Sequence, residues 1–240
     1  MIDHTPIYWY FDPQAGRAPS GLEGLFSISE MLRLNDMKFE LRRKSFIAGR
    51  RAAKHLIRHC VSELHDFPPN LISIENRESG APFVLINDQE LPGILSISHC
   101  GDAAAVAYTS NSSIQIGIDL EFTTPRPHSF LETFFTPKEL DWIRLSNQED
   151  QALISNLIWS AKEAVVKATQ TGLRVDTREI EILADISPLV NGWYRFGVNK
   201  GNNCTNNWQG FWRKEGEMIL TLVVGCDTLN DILHINQISS

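Results

Sequence analysis

Cysteine is sparse in this chain of 240 residues: four in all, Cys60, Cys100, Cys204 and Cys226, with no C-x-x-C spacing. That argues against a disulfide framework or a zinc site and fits a reducing cytoplasm. No stretch approaches the ~18 consecutive apolar residues of a membrane-spanning helix, so no membrane segment is expected. The opening MIDHTPIYWYFDPQ lacks a basic segment leading into an apolar run, so no secretory signal is expected either. Positive charge is also short. Lys and Arg number 22 against 29 Asp and Glu, a net charge of −7, which disfavours a generic nucleic-acid binder. What remains, 42% apolar and 21% charged residues, is the composition of a soluble globular protein with one large domain or two ordinary ones.

The scarce positive charge is concentrated. Arg42, Arg43, Lys44, Arg50, Arg51, Lys54 and Arg58 fall in one segment. A basic island in an acidic protein points to a compact polyanionic ligand; a solvated helix face accounts for it equally well.

The chain reads as two halves of similar plan. IYWYF at 7–11 is a strand, 21–36 holds a short helix, and Lys38 to His65 is a long helix stopped by Phe67, Pro68 and Pro69. Strands follow at 73–76, 83–86, 94–97 and 103–109, with Ser98 to Asp102 as a loop and SNSS at 110–113 as a linker or hairpin tip. IQIGIDLE at 114–121 alternates as a strand that puts Gln115, Gly117, Asp119 and Glu121 on one face, Gly117 leaving room for a close neighbour. FFTPKELDWIRL opens a helix with Thr136 at N-cap, Pro137 at N1 and Glu139 completing a capping box. A second long helix runs from Asp150 to about Thr171 and is closed by Gly172; strands follow at 180–183, 193–198, 207–213 and 218–224, and the tail from Asp227 has only weak periodicity. The expected fold is α+β: two similar halves, 1–113 and 114–240, each an antiparallel-rich sheet packed on one long helix, with the active site in the cleft between them. No sequence repeat relates the halves.

The chemistry gathers around WSAKEAVVKATQTGL, residues 159–173. Leu157, Ile158, Ala161, Ala164, Val165 and Ala168 form one apolar stripe, while Trp159, Glu163, Val166 and Lys167 lie on another face, at ~100° per residue. Glu163 and Lys167 could simply be an i,i+4 ion pair worth ~0.2–0.5 kcal/mol. Asp119 and Glu121 project from the same strand face and repel unless a cation or donors sit between them. Oxygen-only ligation suits Mg²⁺; an exposed polar strand face is the plainer alternative. Ser98 and His99, before Gly101, could bind a phosphate.

Taken together, FIAGRR, SISHCG, GIDLE, FTPKEL and WSAKEAVVKATQTGL resemble, in order and spacing, the 4′-phosphopantetheinyl transferase family in its long, monomeric, two-half (surfactin-synthetase-activating) type. The resemblance spans about Phe39 to Leu173. It implies transfer of 4′-phosphopantetheine from coenzyme A to a serine of an apo acyl or peptidyl carrier protein, with release of 3′,5′-ADP. It further implies Mg²⁺, with Mn²⁺ as the alternative, held by Asp119, Glu121 and Glu163. Glu163, Lys167 and His99 would be catalytic, Glu163 receiving the serine proton. Arg43, Arg50, Ser98, His99 and Lys167 would contact coenzyme A. The implied protein is a cytoplasmic monomer with no nucleic-acid or membrane partner. Two positions depart from the family: Cys100 where serine is common, and Ala81 where many members carry a basic residue. The competing functions are a catalytically silent carrier-protein or nucleotide-binding module, and a metal-dependent phosphodiesterase.

Overall fold

Two buried lysines, each in the middle of a long helix, fix the architecture. The computed structural model describes residues 6–17, 24–170, 175–183, 189, 192–200, 207–226 and 235–238. The chain separates into two compact units, Met1–Ile114 with Asp231–Ser240, and Gln115–Asn230.

The first unit contains β1 (Ile7–Asp12), α1 (Ile28–Asp36), α2 (Glu40–Cys60), β2 (Ile72–Asn76), β3 (Pro82–Ile86), β4 (Gln89–Glu90), β5 (Ile94–Cys100) and β6 (Ala103–Thr109). With β12 (Ile235–Gln237) from the end of the chain, its main sheet has the order β12-β1-β6-β5, and β2-β3-β4 form a second sheet. β12 pairs parallel to β1, Ile7 opposite Ile235; the other ladders are antiparallel. The tail, expected in the second half, thus closes an edge of the first. α2 lies on β5 and β6 with Ala48, Ala52, Ala53, Leu56 and Ile57 facing Leu95 and Val106. Strand β6, AAAVAYT, is buried throughout, and its small side chains let the helix come close.

The second unit contains β7 (Gln115–Phe122), α3 (His128–Phe134), α4 (Pro137–Leu145), α5 (Gln151–Thr169), β8 (Ile180–Leu183), β9 (Tyr194–Lys200), β10 (Asn207–Glu215) and β11 (Met218–Cys226). The sheet order is β7-β11-β10-β9-β8, antiparallel throughout. α5 packs across β7 and β11, burying Leu157, Ile158, Ala161 and Val165 against Ile219 and Val223. The helix ends at Thr169 with Gln170 in the left-handed region at φ 54°. The expected stop at Gly172 lies outside the described residues, as do Cys204 and most of the expected GNNCTNN loop.

Each unit is pinned by the same buried clamp. In the first, Ser27 caps α1 and its backbone N–H donates to Glu30 Oε2 at 2.9 Å; Glu30 Oε1 accepts from Ile74 N at 3.0 Å. Lys54 of α2 donates to Glu30 at 2.5 Å and to the carbonyls of Leu25 and Pro69 at 2.8 and 3.0 Å. In the second, Thr136 caps α4 and its N–H donates to Glu139 Oε2 at 2.8 Å; Glu139 Oε1 accepts from Ile182 N at 2.8 Å. Lys162 of α5 meets Glu139 at 2.8 Å and donates to the carbonyls of Phe134 and Thr177 at 3.1 and 2.8 Å. Even the aromatic neighbour repeats: Phe26 lies 5.5 Å from the Lys54 ammonium and Phe135 5.6 Å from that of Lys162. Every member of the second clamp stands 108 or 109 positions after its counterpart. Both ion pairs are essentially inaccessible, and both satisfy their remaining donors and acceptors with backbone, which offsets the cost of burying charge.

Candidate active site

Gly117 decides how close α5 comes to β7. A Cβ there would stand 1.9 Å from the Ala164 carbonyl oxygen and 2.7 Å from Ala168 N, so only hydrogen fits beneath the helix backbone. Strand alternation puts Asp119 and Glu121 on the same face as Gly117, directly under α5. The helix meets them in turn. Lys167 Nζ donates to Asp119 Oδ1 at 2.7 Å and to the Ile118 carbonyl at 3.2 Å. Trp159 Nε1 donates to Glu121 Oε1 at 3.0 Å. The polar face of the helix is therefore covered by the strand acids, as its mixed composition requires. Lys167 pairs with Asp119 rather than forming the i,i+4 pair with Glu163.

Arg126, which the sequence reading overlooked, completes the cluster from the loop after β7. Its Nη2 sits 3.1 Å from Glu121 Oε2 and its Nε donates to Asn156 Oδ1 at 2.8 Å. The guanidinium lies over Phe130 and Trp159, at 4.8 and 5.5 Å from the ring centroids. Phe130 and Phe134 in turn pack their rings against Trp159 at 4.8 and 5.2 Å. α3, for which no element was expected, supplies this aromatic wall. Its signal was the Phe130, Phe134, Phe135 spacing beside a lone arginine between prolines.

Glu163 stands differently. Among the described residues its carboxylate makes no hydrogen bond, and it lines a cavity of about 270 Å³ with Phe134, Trp159, Val166 and Arg178. Its pKa is raised above the ordinary value of 4.5, first by desolvation, then by the Asp119 charge, with Lys167 pulling the other way. Glu121 is raised as well, by desolvation and then by Asp119, against Arg126 and the Trp159 bond. Glu121 and Glu163 thus both sit within electrostatic reach of the Asp119 charge.

An all-oxygen donor set under like-charge strain is chemically suited to a hard divalent cation. Among the described residues no three Asp, Glu, His or Cys side chains converge as a metal-ligand cluster. Lys167 and Arg126 take up the charge of Asp119 and Glu121 instead.

The remaining expected residues belong to the first unit. β5 continues through Ser98 and His99 to Cys100, and the turn comes only at Gly101, φ 58°. The expected loop is therefore strand, and alternation sends the two side chains to opposite faces: Ser98 is buried and His99 exposed. Arg43 donates through Nη1 to the Leu34 carbonyl at the end of α1. Arg50 donates to Asn76 Oδ1 at 2.7 Å and lies 4.0 Å from the Phe46 ring centroid, its pKa lowered to about 10 by desolvation and then by the Arg33 charge. Both arginines are thus engaged within their own unit. Glu139, read as a capping residue, holds that place and the buried Lys162 besides.

Residues 115–202, which contain β7, Arg126 and all of α5, match the sequence model of the 4′-phosphopantetheinyl transferase superfamily. The 4′-phosphopantetheinyl transferase HetI of Nostoc sp. is 30% identical over 163 residues, 67% of this chain and 66% of its own length. The 4′-phosphopantetheinyl transferase Npt of Nocardia iowensis is 36% identical over 132 residues, 54% of this chain and 52% of its own. The 4′-phosphopantetheinyl transferase psf-1 of Bacillus pumilus is 30% identical over 119 residues, 49% and 48%. The chain spans less than two thirds of the length of these curated relatives. The likeness read from its five motifs is borne out.

Proposed function

Because the chain belongs to the 4′-phosphopantetheinyl transferase superfamily, we propose that it transfers the 4′-phosphopantetheine group of coenzyme A to a serine hydroxyl of an apo acyl or peptidyl carrier protein, releasing 3′,5′-ADP. The observation that carries this reading is the acidic face beneath α5: Asp119 and Glu121 from one strand, Glu163 facing a cavity, and Lys167 within 2.7 Å of Asp119.

Each residue has a role that follows from its surroundings. Glu163 has a raised proton affinity and an open cavity before it, which suits it to accept the serine proton near neutral pH. The Lys167 ammonium, held beside Asp119, can stabilise charge growing on the departing 3′,5′-ADP. Trp159 and Arg126 grip both oxygens of Glu121 and hold it in place. Asp119, Glu121 and Glu163 would hold Mg²⁺ or Mn²⁺, which when bound neutralises a diphosphate and polarises the attacked phosphorus. Coenzyme A would draw further contacts from His99, Ser98, Arg43 and Arg50, the arginines exchanging an internal carbonyl or amide partner for phosphate. A cytoplasmic monomer is the form we propose.

The test is direct. The protein is mixed with coenzyme A, Mg²⁺ and several apo carrier proteins, and the carriers are weighed by mass spectrometry. A gain of one phosphopantetheine is expected on at least one carrier. Asp119→Asn and Glu163→Gln should each cut the rate by about 10²-fold or more, the scale of removing one preorganised charge from a reaction centre. Unchanged transfer by Glu163→Gln would remove its role; no mass gain on any carrier would leave a binding module.

A further inference from the structure

The two clamps give the units a common frame, and that frame can be carried to the pockets beside them. In the second unit the cavity at Glu163 is lined by Phe134, Trp159, Val166 and Thr177. The first unit has a pocket of about 180 Å³ lined by Leu25, Arg51, His55, Arg58 and Pro69. Leu25 corresponds to Phe134, Arg51 to Trp159, His55 to Glu163, Arg58 to Val166 and Pro69 to Thr177, with the same separation of 108 or 109 that relates the clamps. The strand side corresponds too. Tyr10 and Asp12 of β1 also line the pocket and stand where β7 has Asp119 and Glu121. The contacts repeat with changed chemistry: Asp12 faces Arg51 at 3.8 Å as Glu121 faces Trp159, and the Tyr10 and His55 rings lie 4.4 Å apart where Asp119 and Glu163 couple.

The same position in the fold has therefore reversed its charge. Asp119, Glu121 and Glu163 of the second unit are matched in the first by a phenol, a carboxylate and an imidazole (Tyr10, Asp12 and His55), and the uncharged Trp159 and Val166 by the guanidiniums of Arg51 and Arg58. Lys54, at the floor, is already taken by Glu30. Arg58 donates through Nη2 to the His65 carbonyl at 2.7 Å, but its Nε is buried and, among the described residues, has no hydrogen-bond partner. A buried donor without an acceptor costs about 1–3 kcal/mol, more when charged, unless a ligand satisfies it. The pocket is smaller than the ~300–1,000 Å³ of sites for drug-sized ligands, which favours a compact anion over a whole nucleotide.

We propose that this pocket binds a phosphate group, with Arg51 and Arg58 supplying guanidinium donors and the Tyr10 hydroxyl a third. A tetrahedral dianion presents enough oxygens to meet donors arriving from both α2 and β1, and the arginine fork suits it. The phosphate can come from free orthophosphate or from a phosphate monoester on a larger molecule.

The experiment is a titration of the full chain, with arginine Nε–H signals followed by nitrogen-resolved NMR. Orthophosphate is added in one arm and glycerol 3-phosphate in another. Saturable shifts of the Arg51 and Arg58 signals are expected. Tighter binding of the monoester identifies a phosphorylated molecule as the source; tighter orthophosphate binding identifies the free ion. Arg58→Gln should weaken the binding about tenfold, the scale of one charge-assisted hydrogen bond, and Arg58→Lys less. Should Arg58→Gln fail to fold, the unsubstituted protein still decides the matter. Arg51 and Arg58 signals that stay fixed while those of Arg43 or Arg50 move would overturn the proposal, as would unchanged affinity in Arg58→Gln.

Discussion

The two units share a scaffold and differ in what the scaffold presents. Glu30–Lys54 and Glu139–Lys162 are near-superimposable in their bonding: a capping-box glutamate, a lysine from the long helix, and a strand N–H held by the second carboxylate oxygen. Beside the first, β1 offers Tyr10 and Asp12 and α2 offers arginines; beside the second, β7 offers Asp119 and Glu121 and α5 offers Glu163 and Lys167. Buried polar networks tolerate little change because an unsatisfied member is costly, whereas half-exposed pocket walls change freely. The lesson is that chemistry in this molecule varies around a constant internal brace.

The comparison can be broken most forcefully at the brace. Glu139→Ala strands a buried lysine, and a loss of about 3–5 kcal/mol is expected in urea unfolding, with a similar loss for Glu30→Ala. Replacing Glu139 and Lys162 together with Met should recover most of it, since the isolated charge is then gone. A negligible loss in one unit and a large loss in the other would end the equivalence.

A smaller effect separates the helices. Gly117→Ala forces a methyl into the α5 backbone, 1.9 Å from the Ala164 oxygen, and should destabilise by about 1–3 kcal/mol or more. Gly49→Ala in α2 meets only the Ile97 Cγ2 at 3.0 Å, a side-chain tip that can yield. Its strain is offset by about 1 kcal/mol of helix propensity, so its melting temperature should barely move. Equal losses at the two sites would show that α5 is not the more tightly seated helix.

The mildest test concerns Cys60, which occupies in α2 the place of Ala168 in α5. Burial pushes its thiol up to about 12, so thiolate is scarce at pH 8. Iodoacetamide should label it slowly in the native protein and readily in urea; fast native labelling would mean that the end of α2 is open.

Much of the site was legible in the residues. The clean alternation of IQIGIDLE put Asp119, Glu121 and Gly117 on one face, and Thr136-Pro137-Lys138-Glu139 announced a capped helix start. Ser98 and His99 were misplaced because Gly101 and Asp102 read as a wider loop, while β5 and β6 pair right up to Cys100 and Ala103. The cations that the chain itself brings to Asp119 and Glu121, Lys167 and Arg126, were not legible because one comes from a distant helix and the other from a loop between prolines. The duplication stayed hidden because the residues the clamps share, Phe26 and Phe135, Glu30 and Glu139, Lys54 and Lys162, Ile74 and Ile182, are scattered thinly, with Glu and Lys 24 residues apart in one unit and 23 in the other.

Strand β12 has a practical corollary. The polypeptide leaves the first unit after Ile114 and comes back to lay Ile235–Gln237 alongside Ile7–Trp9. A fragment cut at residue 114 would thus bare the outer rim of β1, a row of open amides inviting self-association. Anyone wishing to express the first unit alone should splice the returning strand back on with a short tether, rather than simply stopping the gene there.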